Sequence, residues 1–256
     1  MGILNITPNS FSDGGMYLDA DKAYMHAEKM LKAGADIIDI GGESSRPGSD
    51  PVSSAQEMDR IMPVLERVLK LNVKISVDTC KSAVAREALR LGAGMINDIS
   101  GLRSDPDLAT AVAEYEAELV IMHMKGIPKT MQEKPSYDDV IAEIRQFFKT
   151  QVDKALAAGI KKEHIVLDPG IGFGKRLEDN LKILKDLDTF LDLKYPLMIG
   201  ASRKSMINDI CNAGIHERLP GSLAIAAVAV IRGANILRVH DVAETVQAMK
   251  VLEYIW

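Results

Sequence analysis

The stretch Asp36-Ile37-Ile38-Asp39-Ile40-Gly41-Gly42-Glu43-Ser44-Ser45-Arg46-Pro47-Gly48 sets the pattern of the whole chain. A short, largely apolar run over residues 36–40 passes into a glycine-rich polar turn, and a stripe at helical spacing (Met58, Ile61, Leu65, Val68) follows. Short apolar runs are expected of parallel strands buried on both faces, and such stripes of helices packed along one side. Similar runs recur at residues 2–6, 74–77, 95–97, 119–123, 165–167, 197–199 and 236–239, and further stripes at Ala23, Ala27, Met30, Leu31 and at Val242, Val246, Met249, Leu252. Ser54 followed by Glu57 predicts a capping box, and Asp105-Pro106 predicts a cap before a first-turn proline. Eight strand–helix units in 256 residues predict an α/β fold, a (β/α)8 TIM barrel occupying residues 1–256 as a single domain. A doubly wound sheet is the alternative, but the first run is not followed by the Gly-x-Gly-x-x-Gly turn that would favour it. Two connections, residues 124–136 and 203–223, are longer than the pattern requires.

Composition narrows the function. Hydrophobic residues at 47% and charged residues at 26% are ordinary for a globular domain and argue against disorder. A net charge of −5 argues against nucleic acid, so an anionic ligand must be held by locally placed cations. The longest apolar run, residues 223–231, falls well short of the ~18–20 residues of a membrane span, and the first residues carry no basic leader. Two cysteines cannot form a disulfide framework, so the expected location is the reducing cytoplasm.

In a barrel of this kind chemistry sits at the C-terminal ends of the strands. Each predicted strand ends on polar groups: Asn5, the Gly42–Gly48 turn, Asp78, Asn97-Asp98, His123, Asp168 with the Gly170-x-Gly172-x-Gly174-Lys175 turn, Ser202-Arg203-Lys204-Ser205, and Arg238 with His240. Asp78, Asn97, Asp168 and Lys204 together suit a flat heterocycle that presents adjacent N–H donors beside a carbonyl. Arg238 and His240 precede the last helix, where barrels often hold phosphate. The ligand class is thus a heterocycle joined to a phosphate or diphosphate. Plainer readings stand beside this one. Asp78, Asp168 and Asn97 also suit turn caps, His123 a satisfied core histidine, and Cys80 an inert small residue. The glycine turn before Lys175 lacks the spacing of a nucleotide-binding P-loop.

The motifs become specific in combination. Met1-Gly2-Ile3-Leu4-Asn5-Ile6-Thr7-Pro8-Asn9-Ser10-Phe11-Ser12-Asp13-Gly14-Gly15 resembles the opening signature of the dihydropteroate synthase family, and Gly42-Glu43-Ser44-Ser45-Arg46-Pro47-Gly48 resembles its second. Asp78-Thr79, Asn97-Asp98, Met122-His123-Met124, Asp168-Pro169-Gly170-Ile171-Gly172-Phe173-Gly174-Lys175, Ser202-Arg203-Lys204-Ser205 and Arg238-Val239-His240-Asp241 are similar to the rest, in family order.

The resemblance implies a folate-pathway transferase that joins p-aminobenzoate to 6-hydroxymethyl-7,8-dihydropterin diphosphate, giving 7,8-dihydropteroate and diphosphate with Mg²⁺ as cofactor. By the same carry-over, Asp78, Asn97, Asp168 and Lys204 hold the pterin. Asn5 is the metal ligand and, with Ser45, Arg238 and His240, holds the diphosphate. Ser45, Arg46, Pro47, Phe173 and Ser205 shape the p-aminobenzoate site, while Asp13, Asp78, Lys204 and Arg238 act on the reacting centre. It further implies sulfonamide sensitivity, a homodimer through the late helices and no covalent enzyme intermediate. Three departures accompany it: Ser45 stands where the family usually has Thr, Asn9 where Asp is common, and the chain starts on its first strand without the segment that covers the barrel bottom in relatives. A related pterin-binding methyltransferase that serves a corrinoid protein is the rival reading, and a non-catalytic pterin-binding module the next. The methyltransferase needs neither the diphosphate pair Arg238 and His240 nor the Asn5 metal site, and the module is disfavoured because no expected functional position is lost.

Overall fold

The strand–helix unit of residues 36–48 repeats around a closed ring in the computed structural model, which describes residues 1–6, 16–45 and 48–256. Asn9, Asp13, Arg46 and Pro47, with the roles expected of them, lie outside the described residues. The chain runs β1 (Gly2–Asn5), α1 (Met16–Lys32), β2 (Ile37–Gly41), α2 (Ser54–Val68), β3 (Lys74–Asp78), α3 (Ser82–Leu91), β4 (Met95–Asp98), α4 (Leu108–Glu114) and β5 (Glu118–Met122). It continues through α5 (Val140–Ala157), β6 (Ile165–Asp168), α6 (Leu177–Lys185), β7 (Met198–Ile199), α7 (Ser205–Cys211), α8 (Leu219–Ile231), β8 (Ile236–Leu237) and α9 (Val242–Ile255).

β1 to β6 pair side by side in chain order, and β7 pairs with β8, all parallel. Two parallel bridges join these sheets into a barrel, Leu167 with Leu197 and Gly2 with Val239. At the second seam the Ile3 N–H donates to the Val239 carbonyl at 2.9 Å and the Val239 N–H to the Met1 carbonyl at 3.0 Å. The (β/α)8 reading therefore holds, with strand ends moved by one or two residues.

The barrel interior changes character along the strands. Met95, Val120, Val166 and Met198 form a buried apolar plug, flanked by Ile37 and Ile236. Side chains on one face of a strand recur every second residue. One pleat higher, those strands therefore present Asn97, Met122, Asp168, Gly200, Asp39 and Arg238. The interior turns from apolar to charged within a single step, which fixes the depth of the pocket. The larger core lies between the barrel wall and the surrounding helices.

Two helix-start expectations are corrected. The capping box is Ser53 with Gln56, in which the Gln56 N–H donates to Ser53 Oγ at 3.2 Å and the Ser53 N–H to Gln56 Oε1 at 3.0 Å. Shifting the cap by one residue turns Glu57 inward, where it is fully buried. Asp105 does not cap the helix that follows it. Its carboxylate accepts from the Ser82 N–H at 2.7 Å, at the start of α3, and from the Asp107 N–H at 3.0 Å, while α4 starts later, at Leu108. The long connection over 203–223 holds α7 and a short turn of helix before α8.

Candidate active site

Register builds the mouth of the barrel. Asn5 pairs with Gly41, Gly41 with Asp78 and Asp78 with Asn97, so a level row crosses the ends of β1 to β4. A Cβ on Gly41 would stand 3.5 Å from Asn5 Oδ1 and 3.6 Å from Asp78 Cβ, which shows how closely these side chains meet. Across the mouth, a Cβ on Gly200 would lie 3.9 Å from both Arg238 Cδ and Asp168 Oδ2. Both glycines keep the pocket open where strands converge.

Arg238 sits at the centre. Its Nε donates to Asp39 Oδ2 at 2.6 Å and its Nη2 to Asp78 Oδ2 at 2.8 Å. Asn97 Nδ2 donates to the same Asp39 oxygen at 3.3 Å. Asp39 Oδ1 and Asn97 Oδ1 are buried and have no hydrogen-bond partner. Unpaired buried acceptors are unfavourable unless a ligand supplies the donors. Asp168 Oδ1 accepts from the Gly170 N–H at 2.7 Å. Lys204 extends over the Phe173 ring, with Nζ 4.0 Å from the ring centre.

Burial dominates the electrostatics. It pushes the Asp78 carboxyl up to about 7, with Arg238 pulling it down and Asp39 adding to the rise. It likewise raises Asp168 to about 6 against the Gly170 N–H and the Lys204 charge. Burial and the neighbouring Arg238 bring the Lys204 ammonium down to about 8. Arg238 is lifted above its ordinary value by Asp39 and Asp78 although burial opposes this.

His240 is held from behind. Ser202 Oγ accepts from the His240 N–H at 3.2 Å and lies 3.1 Å from Nδ1. The hydroxyl can also donate its own proton to Nδ1, the arrangement that leaves Nε2–H free to face a ligand. Burial, then Arg203 and Arg238, lower the His240 pKa to about 4, so the free site holds it neutral.

The turn after β6 is wired to the connection after β5. Gln132 Nε2 donates to the Gly172 carbonyl at 2.6 Å and the Tyr137 hydroxyl to the Gly174 carbonyl at 2.7 Å. Phe173 packs with Met122, Met124 and Met131. Lys175 is fully engaged inside the turn, donating to the carbonyls of Gly170 (2.9 Å), Phe173 (3.1 Å) and His123 (3.2 Å). Its Nζ also lies 3.0 Å from His123 Nδ1. Burial and Lys175 drive the His123 pKa to about 2, so of the two readings the core histidine prevails. Burial and the Asp98 carboxylate push the Cys80 thiol well up, which leaves it protonated and a poor nucleophile.

The structure thus brings Asn5, Asp78, Asn97, Asp168, Lys204 and Arg238 to one mouth, with Phe173 and His240 at its rim. Ser45 lies half-buried on the turn after β2 and Ser205 is exposed at the start of α7. Sequence reasoning missed Asp39. Its signal was a carboxylate in the middle of an otherwise apolar buried strand, which has to be paired.

Comparison with known proteins identifies the family over nearly the whole chain. Residues 1–240 match the family described as pterin binding enzyme. The dihydropteroate synthase of Escherichia coli (strain K12) is 52% identical over 254 residues, covering 99% of this chain and 90% of that protein. That of Bacillus subtilis (strain 168) is 43% identical over 254 residues, covering 99% and 87%. The Yersinia pestis dihydropteroate synthase, solved with a sulfonamide drug complex, superposes with a TM-score of 0.94 at 47% identity, covering 100% of this chain and 93% of that one. The Xanthomonas albilineans enzyme, solved with 4-aminobenzoic acid, gives a TM-score of 0.93 at 42% identity, covering 100% and 92%.

Proposed function

The chain belongs to the pterin-binding enzyme family, and from that premise we infer that it carries out the dihydropteroate synthase reaction of folate biosynthesis. It joins 6-hydroxymethyl-7,8-dihydropterin diphosphate to p-aminobenzoate, forms 7,8-dihydropteroate and releases diphosphate. The observation that carries the reading is the pair of unpaired acceptors, Asp39 Oδ1 and Asn97 Oδ1, in a mouth lined by Lys204 and Arg238.

The pterin's N–H edge donates to Asp168, Asn97 and Asp78, while Lys204 donates to its carbonyl side. Arg238 is clamped between two carboxylates, so its charge is largely neutralised and repels little positive charge growing on the pterin methylene. Asp78 favours that charge. Neutral His240 presents its Nε2–H to the diphosphate. The Nε and Nη2 of Arg238 are spent on Asp39 and Asp78, which leaves its Nη1 to donate to the diphosphate. The arylamine then attacks the methylene, oriented by Ser45, Phe173 and Ser205, with Arg46, Pro47 and Asp13 completing the proposed set. Bond formation to the amine accompanies departure of diphosphate, and the amine proton passes to solvent or the leaving group. Positioning of this kind accounts for effective molarities on the order of 10⁵–10⁸ M.

The oxygen chemistry fits Mg²⁺: Asn5 offers one neutral amide oxygen beside Asp78, and Mg²⁺ is commonly held by few protein ligands together with substrate phosphates and water. When bound, the ion spreads the charge of the departing diphosphate. Sulfonamides are proposed to compete for the p-aminobenzoate position. The exposed apolar side of α8, with Val228 at 45% and Ile231 at 39% exposure, supports a homodimer. No described helix is long and apolar enough to cross a membrane, and the free thiols of Cys80 and Cys211 suit a reducing cytoplasm.

The test is diphosphate release from the pterin diphosphate, with p-aminobenzoate and Mg²⁺ omitted in turn. Release is expected only with both, and is expected to be lost in Lys204→Ala and Arg238→Ala. Tight pterin binding without release would overturn the reaction and favour the corrinoid-linked methyltransferase.

A further inference from the structure

Glu57 has no place in the chemistry above, yet its carboxylate is fully buried under the turn that follows β2. Lys81 Nζ donates to Glu57 Oε2 and to Glu43 Oε2, so one ammonium bridges α2 and the near limb of that turn. The other Glu57 oxygen is buried and has no hydrogen-bond partner. The same limb is pinned twice more. Arg60 Nη1 donates to the Gly42 carbonyl at 2.8 Å, and a Cβ on Gly42 would stand 2.9 Å from Ile61 and 3.2 Å from Glu57, so the turn lies against α2. Lys81 is also tied to the pterin side. Its N–H donates to Thr79 Oγ1 at 3.2 Å, and the Thr79 N–H donates to the Asn97 carbonyl at 3.1 Å, directly after Asp78.

Stability alone does not explain the bridge. A buried ion pair is often no more stable than apolar residues of the same shape, while removing one partner leaves an uncompensated charge. What the bridge does is fix Glu43, two residues before Ser45, relative to Asp78 and Asn97.

We propose that Lys81 is a positioning residue for the arylamine: anchored on buried Glu57, it holds Glu43 so that the turn presenting Ser45 is set at a fixed distance from the pterin end of the pocket. The proposal rests on the synthase reading of the site. Its loss uncouples the two halves of the site, weakening p-aminobenzoate and leaving the pterin pocket intact.

The experiment compares the unaltered chain with Lys81→Arg, Lys81→Met, Glu43→Gln and the double variant Lys81→Met/Glu57→Met, which removes the buried pair together and keeps the core apolar. Steady-state constants for both substrates are measured alongside amide hydrogen exchange over residues 42–45. For the double variant the KM for p-aminobenzoate is expected to rise about tenfold, with kcat within about threefold and the KM for the pterin diphosphate within about twofold. Exchange over 42–45 quickens, Glu43→Gln moves in the same direction, and Lys81→Arg restores most of the difference. A folded double variant with an unchanged p-aminobenzoate KM, or with both KM values raised together, overturns the proposal alone. Absence of p-aminobenzoate-dependent diphosphate release from the unaltered chain overturns the synthase reading and the proposal with it.

Discussion

Asp39 shows how much rests on one side chain. It is wholly buried and shares Arg238 with Asp78. Breaking a buried pair by deleting one partner is strongly destabilising, so Asp39→Ala is expected to lower unfolding free energy by about 3–5 kcal/mol, as urea titration would show. A loss below about 1 kcal/mol would mean that water, not Asp39, compensates the guanidinium. The titrations of its neighbours predict a pH profile. Asp168, with a pKa raised to about 6, and Asp78, raised to about 7, must be ionised to accept N–H donors, while Lys204, lowered to about 8, must keep its proton. The kcat/KM for the pterin diphosphate, which reports the free enzyme, is therefore expected to rise between about pH 6 and 7 and fall above about 8. Lys204→Arg is expected to lower activity and carry the alkaline limb upward, because a guanidinium stays charged. At this scale the strand-end residues were legible because chemistry on a barrel gathers there. Asp39 was not, because a carboxylate inside an apolar strand reads as part of that strand until Arg238 is seen paired with it.

At the scale of elements, the turn after β6 works because of its glycines. Gly174 has φ +61°, and a Cβ there would stand 2.1 Å from the Lys125 carbonyl oxygen. Gly174→Ala must both adopt a left-handed backbone and push the two turns apart. It is expected to cost about 3 kcal/mol or more in thermal or urea unfolding. Gly94→Ala, where nothing lies within 4 Å and φ is not positive, should stay within about 0.5 kcal/mol. The sequence reading found this turn by its glycines but not its partner. Gln132 and Tyr137 lie in an irregular connection whose periodicity carries no signal, so their bonds to Gly172 and Gly174 had no trace in pattern. The helix cap after β2 failed for a different reason. Ser53 with Gln56 and Ser54 with Glu57 satisfy the same spacing, and only burial of Glu57 beside Lys81 decides between them.

For the whole molecule, the eight-fold alternation was legible because most strands are covered on both faces and so read as short apolar runs. α8 stood out for the opposite quality: it is apolar around nearly its whole circumference, yet one side faces solvent at Val228 and Ile231. Such a face is what the proposed homodimer would cover. Sedimentation or light scattering is expected to give twice the mass of one chain, and Val228→Glu with Ile231→Glu to give a single one with its pterin pocket still occupied on titration. A double variant that keeps the doubled mass would move the interface elsewhere.

The bond from Arg238 to Asp39 joins residues 199 positions apart. On the ribosome, Asp39, Asp78, Asn97 and Asp168 all emerge well before Arg238 is made. Until then Asp39 and Asp78 lack the guanidinium that pairs them in the folded chain. The charge balance of the pocket is therefore complete only once the final strand is in place.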